Sequence, residues 1–351
     1  MYDLETEEHR EMRRINKILV LAAIISLVVG LAAAFAGGSK EQSQAAGGQA
    51  KKYKIVTVYK VSGEPWFNRM GQGVKVAAEE LGVDAYGTGP TTADAAAQVR
   101  VVNDVLNSGV NAICIDPDDA QALVPALERA KALNITVITT ESPGQKGADY
   151  DLEQIYNDQF GRDFWDAVAK YAGPNANYAI FVGSLTVPLH NLWADVGLKY
   201  AKEKYPNMHL VTKRLPVGED QAKAKQATLE LLTAYPNLDA IIGFGSLGPL
   251  GAAQALEQTG KVGKVKVIGT VVPSQGAQYI KSGGITESIA WDPKWGGYGM
   301  TWLAKHILDG KKVTNDMKIP HLGTATLKDR VLRYDGVIRV NKNNIADYMS
   351  F

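Results

Sequence analysis

The chain has 351 residues, 46% hydrophobic and 21% charged, the balance of a folded protein long enough for two domains. Lys and Arg number 38 against 37 Asp and Glu, so no net positive field favours nucleic acid. The single cysteine, Cys114, excludes an internal disulfide and a cysteine-rich metal site; within Ala112-Ile113-Cys114-Ile115 it reads as a buried structural thiol.

Residues 18–36 (ILVLAAIISLVVGLAAAFA) are an almost unbroken apolar stretch behind Arg13-Arg14-Ile15-Asn16-Lys17. They end in Ala34-Phe35-Ala36, the small-x-small pattern of a signal-peptidase site. An uncleaved anchor is the alternative, since the stretch nears the ~20 residues that span a bilayer. Residues 1–36 therefore read as an export signal and 37–52, rich in Gly, Ser, Gln and Ala, as a flexible linker.

From residue 53 short apolar runs alternate with helical patterns. Strands are predicted over 54–59, 83–86, 111–115 and 135–140, with an extended segment over 151–156. Between them lies a helix with Phe67, Met70, Val74, Ala77, Ala78 and Leu81 at helical spacing, stopping at Gly82, followed by helices over 93–107 and 120–133. This βαβα order implies a parallel sheet with helices on both faces. The pattern then restarts. Helices over 160–171, 189–204, 221–234, 249–258, 274–281 and 295–308 alternate with strands over 178–182, 210–214, 240–244, 265–271 and 285–290. LNSGVNAICI (106–115) and TAYPNLDAIIGF (233–244) each lead a helix through a turn into an apolar strand, which points to two similar lobes.

Open parallel sheets bind ligands beyond the C-terminal ends of their strands, where strand order reverses. Two facing lobes would join those ends in one cleft. Just beyond the strands stand Lys60, Asp116, Glu141, Gly183 to His190, Gly245 with Ser246, and Trp291 with Asp292; Trp66 and Phe67 open the first helix. Flat rings stack on the CH face of a sugar, while charged groups bond its hydroxyls for ~1.5–3 kcal/mol each. Lys60, Glu141 and Asp292 supply the charges, and Trp66, Phe67 and Trp291 the faces. On residue type alone each ring is more often a core residue than a ligand plate, and an acid at a strand end is often only the N-cap of the next helix. Asp116, Asp118 and Asp119 in DPDDAQAL fit that capping role and stay outside the predicted site.

Gly243, Gly245 and Gly248 form Gly-x-Gly-x-x-Gly between an apolar run and a helical one, as in a dinucleotide-binding turn. In a dinucleotide fold that turn is the first, with an acid about 20 residues further on. Here it lies late, the next strand ends without an acid, and Pro249 opens a helix at once. The glycines instead let a turn approach the cleft closely. No cofactor is expected.

These residues, carried in VTVYKVSGEPWFNRMGQGVKVAAEELG, NAICIDPDDAQALVPALERAKALNITVITTES, LDAIIGFGSLGPLGAAQALE and SIAWDPKWGGYGM, resemble the periplasmic sugar-binding proteins of ABC importers, type I fold, over about residues 53–351. The chain looks most like the branch that binds autoinducer-2 or rhamnose. There a lysine closes the first strand, an acid ends the fourth, and Trp-Asp-Pro follows a late strand. The resemblance matches Lys60, Trp66, Phe67, Asn191, Trp193, Trp291 and Asp292 to that pattern. Glu141 stands where the family has an aspartate. Leu189 and His190 replace an acid and an amide of autoinducer-2 binders, and Phe244 and Ser246 lie where ribose binders carry an aspartate. The lost acids imply a less polar ligand, such as a deoxy sugar.

The implied fold is α/β, two similar doubly wound parallel-sheet lobes joined by hinge crossings near Tyr156-Asn157, Ala290-Trp291 and residue 325. The first lobe would comprise 53–156 with 292–325, and the second 157–291 with 326–351. The implied mechanism is closure over a sugar and delivery, by a monomer, to an ABC permease in the inner membrane, with a chemotaxis transducer as a further docking partner. A sugar-responsive repressor of this fold would need a DNA-binding motif before residue 53, where an export signal stands instead. A glycosidase would use Glu141 and Asp292 as a carboxylate pair ~5–9.5 Å apart. No Ser-His-Asp spacing, His-Glu-x-x-His or Walker loop accompanies them. The five histidines (His9, His190, His209, His306 and His321) are scattered, so no metal is expected.

Overall fold

The computed structural model describes residues 52–351. The predicted export signal and the predicted linker, up to Lys51, lie outside the described residues. The first lobe opens with β1 (Lys54–Val58), α1 (Pro65–Leu81), β2 (Asp84–Thr88), α2 (Ala95–Asn107), β3 (Ala112–Ile115), α3 (Ala120–Ala132), β4 (Thr136–Thr139) and β5 (Tyr150–Glu153). The second holds α4 (Asn157–Ala172), β6 (Asn177–Val182), α5 (Pro188–Lys204), β7 (His209–Leu210), β8 (Leu215–Pro216), α6 (Gln221–Ala234), β9 (Ala240–Gly243), α7 (Gly248–Gln258), β10 (Lys266–Gly269), α8 (Pro273–Ser282) and β11 (Glu287–Ala290). α9 (Pro293–Leu308) then returns to pack along α1. After a small hairpin of β12 (Lys318–Ile319) and β13 (Gly323–Thr324) come β14 (Thr326–Lys328), β15 (Val331–Arg333) and β16 (Ile338–Val340).

The first sheet runs β14-β15-β5-β4-β3-β1-β2 and the second β16-β11-β10-β9-β6-β7, with β8 also on β6. Within these two sheets all pairings are parallel except β14 with β15 and β16 with β11. These are the two doubly wound sheets expected of a type I periplasmic binding fold. Alternation along the strands assigns the two faces. Ile55, Cys114 and Ile138 pack towards α1 and α9, whereas Val56, Val58, Ile113 and Val137 pack under α2 and α3. In the second sheet Ile180, Ile242 and Ile268 meet α4 and α5, while Phe181, Ile241 and Val267 meet α6 to α8. Burying both faces is why the central strands read as continuous apolar runs. Cys114 is fully buried, and burial pushes its thiol up to about 12.

One apolar cluster continues through both lobes. It includes Trp291, just after β11, whose indole lies edge-on to Trp66 at 5.0 Å, Phe160 at 5.3 Å and Trp193 at 5.7 Å between ring centres. The third crossing is not at residue 325. β15 pairs with β5, Leu332 opposite Leu152 and both fully buried, so residues 326–333 belong to the first lobe and the chain crosses over 334–337. The strand predicted over 210–214 is also broken, into β7 and β8. Among the described residues no helix is long and apolar enough to cross a membrane.

Candidate functional site

In the first sheet β1 lies between β2 and β3, so strand order reverses beside it. Lys60 leaves β1 there, with Asp116 beyond β3 and Glu141 beyond β4. In the second sheet the reversal falls beside β6, where Gly183 leaves β6 and Gly245 and Ser246 leave β9. The two reversals face one cavity lined by Lys60, Glu64, Trp66, Phe67, Glu141, His190, Trp193, Glu219, Gly245, Ser246, Thr270 and Trp291. The centre of a water-sized sphere can occupy about 20 Å³ of it, far below the ~300–1,000 Å³ of ordinary ligand pockets. The cleft is shut.

Lys60 is 2% exposed and stands amid carboxylates. Its ammonium donates to Glu141 Oε2 at 2.7 Å, lies 3.2 Å from Asp116 Oδ1, and is 3.9 Å from Glu219 Oε1 across the cleft. Burial alone would lower the ammonium, but Asp116, Glu141 and Glu219 outweigh it and hold Lys60 well above its usual range. Burial raises Glu219 to about 7 against the pull of Lys60. Burial raises Glu64 to about 8, with repulsion from Glu219 adding to it. Asp116, wholly buried beside Glu141, is also held well above the carboxylate range. Glu141 adopts φ 54, a left-handed backbone costing a non-glycine residue ~1–2 kcal/mol, which its bond to Lys60 offsets.

His190 accepts a hydrogen bond at Nδ1 from the Gly183 N–H at 3.0 Å, which leaves its proton on Nε2. Burial, then Lys60, holds the ring well below its usual range, so it is a neutral donor. A Cβ on Gly183 would lie 2.8 Å from Glu219 Cδ and 3.0 Å from His190 Nδ1; the bare backbone makes room for both side chains. The Gly-x-Gly-x-x-Gly turn serves the same loop. Gly245 has φ 97, and Leu247 and Gly248 donate their N–H groups to Gly218 O at 3.1 and 2.7 Å. Gly218 in turn sits so close that a Cβ on it would lie 2.1 Å from Phe244 O. The motif seats the residue before Glu219.

Of the sequence-predicted residues, Lys60, Trp66, Phe67, Glu141, His190, Ser246 and Trp291 line the cavity. Asn191, Phe244 and Asp292 do not. Asn191 donates from Nδ2 to Ser184 O and Val187 O and accepts from Arg214 at Oδ1, so it holds the 184–187 loop. Phe244 is fully buried against Phe164 and Trp193 in the core. Asp292 accepts from Arg69 Nε at 3.0 Å and Nη2 at 2.8 Å and caps α9 through the Lys294 N–H. Its carboxylate is committed outside the cavity, which removes the Glu141–Asp292 pair of a glycosidase. Asp116 is not a cap: Asp119 accepts from Gln121 and Ala122, while Asp116 turns to Lys60. Sequence reasoning also missed Glu64, Glu219 and Thr270. Thr270 follows β10 directly, a position the strand-end rule would have included.

The raised acids fix a pH dependence. Glu64 and Glu219 bind protons more tightly folded than unfolded, from 4.5 to about 8 and about 7. Their stabilisation is complete below about pH 4.5 and is lost as pH rises through 7 and 8. Asp116, Asp151 and Glu153 are raised too and act in the same sense. His190 alone in the site opposes them, below pH 6.5, and the lowered surface carboxylates Asp166, Asp220 and Asp309 act only below about pH 4. The expected melting temperature is at least ~5 °C higher at pH 5 than at pH 8, and Glu219→Gln narrows the difference. A curve flat or rising from pH 5 to 8 would contradict the assignment.

A family model described as a periplasmic binding protein domain matches residues 55–312. Among curated relatives, the ribose import binding protein RbsB of Bacillus subtilis (strain 168) is 26% identical over 278 residues, 78% of this chain and 87% of the relative. Among solved structures, LsrB from Clostridium saccharobutylicum in complex with AI-2 superposes with a TM-score of 0.78 at 26% identity, covering 84% of this chain and 99% of that one. An ABC transporter solute-binding protein from Clostridium phytofermentas with bound L-rhamnose gives 0.79, over 86% and 99%. At 23% identity its likeness speaks to the fold alone.

Proposed function

The chain belongs to the periplasmic binding protein family, and from that premise we propose that it is the solute-binding component of an ABC importer. It takes a small sugar into the cleft between its lobes and presents the closed form to a membrane permease. The observation that carries this reading is the convergence of Lys60, Glu141 and His190 with the indoles of Trp66, Trp193 and Trp291 on one buried cleft. Charged groups and a fixed imidazole donor address hydroxyls, and the indoles cover the CH face of a ring. Closure follows from the preference of the ligand for the shut state. The protein reaches the periplasm through the apolar segment at 18–36, and the mass of the mature protein from its host would reveal the removal of that segment.

Titration calorimetry tests the reading. L-rhamnose, D-ribose, autoinducer-2 and amino sugars are the probes, and at least one is expected to bind with Kd below ~100 μM. Trp291→Ala, which removes both a cavity wall and the inter-lobe contact, is expected to weaken that binding about tenfold. Unchanged affinity would take Trp291 out of the site, and no binding by any probe would overturn the reading.

A further inference from the structure

We infer that the solute of this cleft carries a positively charged nitrogen, as an amino sugar does, seated between Glu64 of the first lobe and Glu219 of the second. The inference rests on the reading of the cleft as a sugar site. Lys60 is the only cation lining the cavity among the described residues, against the carboxyl groups of Glu64, Glu141 and Glu219. It is already engaged by Glu141 at 2.7 Å and Asp116 at 3.2 Å, and it stands 3.9 Å from Glu219, beyond hydrogen-bond reach. Glu64 Oε2 and Glu219 Oε2 are both buried without a hydrogen-bond partner, and the Glu219 side chain is only 6% exposed. The neighbouring cation, Arg69, is spent on Asp292.

A buried carboxylate without a donor is unfavourable unless it is neutralised by a proton or a cation. Three observations favour the cation over protons alone. The acids come from opposite lobes, so a charge between them attracts both and favours the shut cleft. Trp66, Trp193 and Trp291 surround the space with ring faces and edges that suit an ammonium on a carbon frame. His190, held neutral, adds a donor without adding a competing charge. Among the described residues no three His, Cys, Asp or Glu side chains converge to hold a metal ion, and the indole walls suit a charge carried on a carbon frame. This inference departs from the expectation from sequence of a less polar ligand, because Glu219 places an acid of the second lobe in the cavity.

The test pairs D-glucosamine, D-galactosamine and D-mannosamine with D-glucose, D-galactose and D-mannose near neutral pH by calorimetry on the purified mature protein, alongside D-ribose and L-rhamnose. The expected result is that at least one amino sugar binds about tenfold or more tightly than its neutral partner. That ratio should fall towards one in Glu219→Gln, or in Glu64→Gln should the first variant fail to fold. Neutral sugars binding as well as or better than their amino counterparts would overturn this inference and leave the sugar-binding reading intact. An amino-sugar preference that survives in both variants would overturn the assignment to these two acids. Absence of binding across the whole panel would overturn both readings.

Discussion

Lys60→Met is expected to melt ~10 °C or more below the parent at pH 8 and to lose measurable ligand binding, at least about a hundredfold. Lys60 is the shared counter-charge of Asp116, Glu141 and Glu219. Removing one partner of a buried pair costs ~3–5 kcal/mol, because the opposite charge remains without compensation. Here the acids can escape by taking up protons. The deficit should therefore shrink at pH 5, and thermal denaturation of parent and variant at both values measures it. A deficit of the same size at both pH values would show that Lys60 acts through packing rather than charge. The binding loss has a separate origin, since the ammonium positions the Glu141 carboxylate in the cleft through their hydrogen bond.

Gly73→Ala carries the second large effect, and two physical terms oppose each other there. Helix propensity alone would make alanine more stable by ~0.5–1 kcal/mol. Packing reverses the sign. A Cβ on Gly73 would lie 1.7 Å from Lys294 O, and on the facing helix a Cβ on Gly297 would lie 2.2 Å from Met70 O. α1 and α9 thus meet backbone to backbone, and only their separation can admit a methyl group. The expected loss is about 3 kcal/mol or more, read by urea denaturation. α9 begins two residues after Trp291, so its displacement also moves the indole and weakens binding. A stabilised Gly73→Ala protein would mean that the helices yield at little cost.

Much of this was legible in the chain, for identifiable reasons. Strands buried on both faces, such as β3 with Ala112-Ile113-Cys114-Ile115, can only be apolar runs. Residues just beyond the ends of parallel strands also converge, which brought Lys60 after β1 and Glu141 after β4 together across β3. Glu219 was hidden by the unbroken strand predicted over 210–214. The real chain leaves the sheet after Leu210 and rejoins it at Leu215. That detour brings Gly218 N to Val182 O at 2.7 Å and Glu219 into the cleft. Asp292 failed for the opposite reason. It has the position of a cleft acid, but Arg69, more than two hundred residues earlier, takes its carboxylate, and no local pattern announces such a partner. Asp116 and Asp119 share residue type and neighbourhood, and only the packed strands separate the ion-pair acid from the cap.

The late arrival of β15 bears on how the protein is made. Until residues 331–333 are synthesised, β5 presents a bare edge. β16, which closes the flank of the other sheet, comes later still. Each half gains its last strand from the far end of the polypeptide, so completing either sheet carries the entropy of closing a long loop. Among the described residues both sheets therefore keep an unfilled edge until the chain is nearly complete.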